Sequence, residues 1–172
     1  MTGKRDPPDD DAVDPPADVT VSPATADDRL DVLRILDAAM LETDADAVDD
    51  RIAAGDALVA RSERTGGVVG ALVATRPDLA RLHVDAVAVR RARRGRGIGS
   101  ALVAAAVRRG KSDDAVEVVT AAFDPELRPF YADLGFAIRP ADRDRNDDAN
   151  SDRDRNDDRL IGRVSTADSG CR

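Results

Sequence analysis

Residues 81–107, RLHVDAVAVRRARRGRGIGSALVAAAV, pass from an alternating apolar stretch, through arginine and glycine, straight into an apolar helical stripe. This segment constrains the fold more than any other. At 81–89 the alternation is that of a strand, with His83, Asp85, Val87 and Val89 on one face and Leu82, Val84, Ala86 and Ala88 on the other. Ile98, Ala101, Leu102, Ala105 and Ala106 recur at helical spacing, and Gly110 is the expected stop. Between strand and helix, Gly95, Gly97 and Gly99 strip Cβ atoms from one side of the turn. An anion can then reach the amides of Gly95, Arg96, Gly97, Ile98, Gly99 and Ser100, which open a helix whose unpaired N–H groups and dipole favour negative charge. Arg93, Arg94 and Arg96 add charge-assisted donors. The segment reads as a diphosphate cradle.

Two familiar phosphate motifs do not account for it. A Walker loop needs a Gly-Lys-Ser/Thr triplet, which the chain lacks. The dinucleotide pattern GxGxxG fails in both registers, since its last position falls on Ser100 or Leu102.

The flanking sequence supplies the rest of an α/β domain. A short strand is expected at 19–23. A helix follows, with Thr25 or Asp27 as its cap and Leu30, Leu33, Leu36 and Met40 along one stripe. A second helix covers about 45–54 and stops at Gly55. Residues 57–62 and 68–75 form a hairpin around the glycines at 66 and 67. After the central helix come a strand at 116–123, a short helix from Pro129, and two hairpin strands at 136–140 and 159–164. The order is β-α-α-β-β-β-α-β-α-β-β, with a mostly antiparallel first half and one βαβ unit at its centre.

Residues 1–18 are rich in Pro and Asp and are expected to form a disordered tail, leaving the domain at 19–164 and a flexible end at 165–172. Between the last two strands, DRDRNDD occurs at 142–148 and again at 152–158. This low-complexity insertion at 141–158 holds eight aspartates against four arginines. It is expected to be a hydrated hairpin tip.

Composition excludes several classes. The net charge of -8 disfavours a nucleic-acid surface. One histidine and one cysteine, Cys171, leave no basis for a zinc site or an internal disulfide, and no metal is expected. No apolar run is long enough to span a bilayer, and the first residues lack a signal-peptide core, so no membrane partner and a cytoplasmic location are expected. Lys4 and Lys111 are the only lysines among many arginines, and aspartate dominates the acids. That balance suits a salt-rich cytoplasm, as in a halophilic archaeon, although GC-rich coding produces it too.

VAVRRARRGRGIGSAL resembles the signature of the GNAT superfamily of acyl-CoA-dependent N-acyltransferases, Q/R-x-x-G-x-G/A, with Arg94, Gly97 and Gly99 in the named positions. FDPELRPFYADLGF resembles a later motif of the same family, through Phe130, Tyr131, Gly135 and Phe136. It departs at Asp124, where Asn is usual, and at Pro129. The resemblance covers about 19–140 and is expected to extend to 164. It implies a GNAT-like mixed, mostly antiparallel twisted sheet with helices on both faces.

By that resemblance the loop amides hold the coenzyme A diphosphate, and main-chain groups of Val87 and Val89 hold the pantetheine arm. The implied reaction is attack of a neutral amine, on a small molecule or a protein, upon the thioester of acetyl-CoA in a ternary complex. The Val89 N–H is expected to face the oxyanion and Tyr131 to protonate the departing thiolate. Asp85 is the candidate base, with His83 as the alternative, and Glu42 would line the acceptor side. A monomer and a homodimer are equally compatible with the sequence. The class-different alternative is a non-catalytic acyl-CoA-binding sensor or interaction module of the same fold.

Overall fold

The computed structural model describes residues 15–41, 43–140 and 159–167. Glu42, the acidic insertion, most of the N-terminal tail and Cys171 lie outside the described residues. Strand β1 (Val19–Pro23) leads through a 3-10 turn to helix α1 (Arg29–Ala38) and helix α2 (Ala45–Ala54). Strands β2 (Ala57–Ser62), β3 (Val68–Asp78) and β4 (Arg81–Val89) follow, then α3 (Ile98–Lys111) and β5 (Val118–Phe123). Helix α4 (Arg128–Asp133) and strands β6 (Ala137–Pro140) and β7 (Leu160–Ser165) complete the order expected from sequence.

The strands form one seven-stranded sheet in the order β1-β2-β3-β4-β5-β7-β6. Only β4 and β5 pair in parallel; every other neighbour is antiparallel. A parallel pair needs a crossover, and α3 supplies it. Two apolar cores lie on opposite faces of the sheet. One packs α3 and α4 against β3, β4 and β5 through Leu72, Leu82, Ile98, Leu102, Val119 and Phe123. The other packs α1 and α2 against β2, β3 and β4 through Val32, Leu36, Val48, Val59 and Val73.

Three local expectations differ from the structure. Helix α1 buries Val32, Ile35 and Leu36, whereas Leu30 is exposed and Met40 lies beyond the helix with positive φ. Of the expected stripe, Leu36 is buried and Leu33 packs on the same core, where Val32 and Ile35 join them. Gly110 does not stop α3. It lies buried within the last turn, where an added Cβ would come 2.6 Å from Val119 Cγ2. The glycine serves helix–strand approach. At the C-terminal end, β7 runs to Ser165 and Thr166 is buried, with its N–H donating to Glu117 O, beyond the expected boundary at 164.

Near the start of α1, the buried Asp28 carboxylate accepts from the Thr25 N–H and hydroxyl and pairs with Arg61. Burial alone would raise its pKa, but the Thr25 and Arg61 contacts outweigh that, and the net shift is downward. A depressed aspartate stabilises the fold above its unfolded pKa and loses that contribution as the pH falls through the folded value. Asp28→Asn should therefore be less stable than wild type at pH 7. The gap in urea midpoint should close as the pH is lowered below the ordinary aspartate range.

Candidate active site

The site begins with a defect in β4. Val84 pairs with Ala74, and Ala86 with Val73, so Asp85 has no partner on β3. A bulge of this kind resets the alternation of side chains. Leu82 and Val84 face the α3 core, and beyond the bulge Val87 and Val89 pack against that same core. Ala86 and Ala88 face the α1 core instead. His83, which alternates with Leu82 and Val84, is also on the α1 side. The single face expected for His83, Asp85, Val87 and Val89 is therefore divided in two at Asp85.

The bulge also marks where β4 and β5 part. Their pairing runs from Arg81 opposite Val118 to Val84 opposite Ala121 and goes no further. The Arg90 N–H donates to Val69 O, which makes Gly70 and Val89 a non-hydrogen-bonded pair. Pairs alternate along an antiparallel ladder, so the N–H and C=O groups of Val87 and Val89 turn away from β3 toward the gap. They form a free ladder edge inside the protein. The Val89 carbonyl accepts from Arg94 Nε at 3.1 Å.

A turn at Arg91–Arg93 carries the chain from β4 into the glycine loop. Gly95 and Gly97 have φ of +75° and +80°, a region open to glycine and costly for most side chains. A Cβ at either position would meet nothing within 4 Å, so both glycines border open space. Gly97 caps α3, and no side chain bonds the helix end. The first intrahelical bond runs from the Ala101 N–H to Gly97 O, leaving the amides of Ile98, Gly99 and Ser100 without helical partners. Gly99 lies within the helix beside Phe130, where an added Cβ would make ordinary van der Waals contact at 3.7 Å.

A cleft of about 460 Å³ joins these parts. Its walls include Val87, Val89, Arg94, Gly95, Gly97, Ile98, Gly99, Ser100 and Tyr131, all expected from sequence. Asp85 and Arg96 are exposed and do not line it. Ala39, Ala88, Leu127 and Phe130 were not singled out as site residues. Ala39 reaches the cleft from the end of α1, a long-range approach with no local sequence signal. Phe130 was legible only as part of a motif. Arg93 also lines the cleft, although its guanidinium pairs with Asp18 at 3.2 Å.

The chain's three Phe and one Tyr form one cluster, with Phe130 and Tyr131 in the cleft wall and Phe123 and Phe136 packed on Tyr131. The Tyr131 ring stacks on Phe123 with centroids 4.0 Å apart and meets Phe130 and Phe136 edge-on. Pro125 and Pro129 start the turn and the helix that set its direction, a use of proline that spares backbone hydrogen bonds. The ring is 3% exposed, and burial pushes the phenol up to about 12. At neutral pH the phenol keeps its proton, and aromatic packing holds the ring. Across the sheet, His83 Nδ1 lies 2.8 Å from Thr120 Oγ1. Burial lowers the His83 pKa, and Asp85 partly opposes this.

Among the described residues, no group of three His, Cys, Asp or Glu side chains is placed to hold a metal ion. No described helix is long and apolar enough to cross a membrane.

Comparison with known proteins agrees with this architecture. The chain is similar in fold to Ard1 from Thermoplasma volcanium, at 19% identity over 87% of this chain and 98% of that one, with a TM-score of 0.64. It is also similar to Rv2747 from Mycobacterium tuberculosis, a structure in complex with CoA and NLQ. There the identity is 22% over 70% and 72% of the two chains, with a TM-score of 0.62. A third is N-acetylglutamate synthase from Neisseria gonorrhoeae complexed with coenzyme A and N-acetyl-glutamate. It matches 88% of this chain at 15% identity and a TM-score of 0.64, but only 36% of its own length is covered. No curated protein matches the chain. The profile of the acetyltransferase (GNAT) family matches residues 30–136, from the start of α1 to the end of the aromatic motif. The chain belongs to the GNAT acetyltransferase family.

Proposed function

We propose that this protein is an N-acetyltransferase that moves an acetyl group from acetyl-CoA to a primary amine within a ternary complex. The observation that carries the reading is the meeting of three features in one cleft. These are the unpaired amides at the start of α3, the free ladder edge at Val87 and Val89, and the Tyr131 phenol. The CoA-bound structures of similar fold support it.

In this reading the amides of residues 95–100 and the Arg94 guanidinium hold the diphosphate. Val87 and Val89 add the pantetheine amides to the sheet edge as a strand would. The amine nitrogen forms its bond to the thioester carbon, and the Val89 N–H stabilises the oxyanion. Collapse breaks the C–S bond, and Tyr131 gives its proton to the leaving sulfur. Asp85 takes the amine proton through a bridging water, since its carboxylate lies outside the cleft wall. A phenol near 12 is a weaker acid than an ordinary thiol near 8.5, so Tyr131 acts through fixed placement rather than acidity.

Calorimetric titration with coenzyme A tests the loop. Gly97→Val combines a blocked phosphate site with strained backbone, whereas asparagine tolerates left-handed φ. Gly97→Asn should melt near wild type and bind coenzyme A about tenfold more weakly, about 1.4 kcal/mol. Wild-type affinity in both variants would move the diphosphate elsewhere. Tight binding with no acetyl transfer to any amine would instead favour an acyl-CoA sensor.

A further inference from the structure

Helices α1 and α2 cover one side of β2, β3 and β4, and their core contains no residue of β5, β6 or β7. Among the described residues, no helix covers the corresponding side of β5, β7 and β6. Register shows what stands on it. Thr120 pairs with both His83 and Arg163, which places Arg163 on the α1 side. Arg139 pairs with Ile161, two residues from Arg163, and shares that side. Arg159 precedes β7 and donates from Nη2 to Ala122 O, just past the point where β4 and β5 separate. All three arginines are exposed, and none forms an ion pair with another described residue. Arg81, at the far end of β4, is instead paired with Asp78.

The cleft reaches this side of the sheet. Its walls include Ala39 and Ala88 from the α1 core as well as Ile98 and Tyr131 from the α3 core. A ligand passing between β4 and β5 therefore emerges beside Asp85, with Arg159, Arg163 and Arg139 along the strands opposite. The charge of Arg159 already acts on His83, as one of the lesser contributions lowering its pKa. None of the three arginines lines the cleft itself; they stand beyond the point where β4 and β5 part, and in a chain of net charge -8 such a group of guanidinium charges selects for charge. A carboxylate would find planar, bidentate partners in these guanidinium groups, which offer a polycation none.

We propose that the acceptor is an amine bearing a carboxylate, which the arginines of this half-sheet hold while its nitrogen passes Asp85 into the cleft. This inference rests on the acetyl-transfer reading and names the acceptor class for the same site. The test measures thiol release from acetyl-CoA with amines matched except for the carboxylate. The pairs are L-alanine against ethylamine and 4-aminobutyrate against propylamine; L-glutamate and spermidine complete the panel. Carboxylated acceptors should give kcat/KM at least tenfold above their matched amines. In the Arg139→Gln/Arg163→Gln variant, the acceptor KM should rise about tenfold while the acetyl-CoA KM and the melting temperature hold. Equal rates within each pair, a preference for spermidine or an indifferent variant would overturn the proposal. So would failure to acetylate any panel member by protein that still binds coenzyme A. Loss of coenzyme A binding itself would refute the acetyl-transfer reading instead.

Discussion

Tyr131→Phe should lower kcat by about 10² to 10³, within the range for removal of a positioned general acid, while acetyl-CoA KM changes little. The substitution removes one oxygen and leaves the ring among Phe123, Phe130 and Phe136. No described residue hydrogen-bonds the Tyr131 hydroxyl, so the variant should melt close to wild type. That combination separates chemistry from packing. A purely structural tyrosine would show an altered melting temperature or no kinetic effect. The pH dependence gives a second reading. With the phenol pushed up to about 12, its protonated form persists through the neutral and mildly alkaline range. Tyrosine ionisation should therefore produce no falling limb in the rate profile below about pH 10. A tyrosine-dependent limb near pH 8 would contradict this environment.

The largest stability effect is expected far from the cleft, at Asp56. Its side chain is 1% exposed and lies between two arginines. Arg76 donates from Nε and Nη2 at 2.9 and 3.2 Å, and Arg109 donates from Nε at 3.1 Å. Arg76 also bonds Asp113 at 2.8 Å, and Arg109 reaches Ala54 O. The cluster ties the α2–β2 connection to β3, to the end of α3 and to the turn before β5. Its two aspartates hold the Arg76 guanidinium above the usual arginine range, with burial opposing them. Asp56→Asn would keep the volume but leave two partly buried cations facing a neutral amide. Removing one partner of a buried ion pair costs about 3–5 kcal/mol, and urea denaturation should show a loss near the lower end because both arginines retain some solvent. A change below about 1 kcal/mol would show that the network merely decorates a fold held by its apolar cores. Coenzyme A affinity per folded molecule should be unchanged.

The glycine loop and the aromatic motif were legible because each is local. Consecutive residues specify the backbone of the turn, and periodicity specifies the helix that follows it. Element order followed for the same reason. Asp85 marks the limit of that reasoning. Strict alternation assigned it to the face of Val87 and Val89, and only its pairing with β3 reveals the extra residue that turns the two valines to the other side. A lone carboxylate in an apolar strand was the sole trace. The stripe of α1 was half legible: Leu36 is buried and Leu33 packs on the core as expected, but Leu30 and Met40 are exposed and Val32 and Ile35 take their place, a choice made by the sheet. Ala39 comes to the cleft from the end of α1, and Arg139 and Arg163 come onto one face of the sheet only through strand register, so nothing nearby in sequence announces them.

The aromatic cluster has a spectroscopic consequence. The chain contains no tryptophan and a single tyrosine, so one phenol accounts for nearly all of its ultraviolet emission. That fluorophore lies in the wall of the cleft, stacked on one phenylalanine and flanked by two more. Changes in its intensity or lifetime therefore report on one known place, and occupancy of the cleft can be followed without a label.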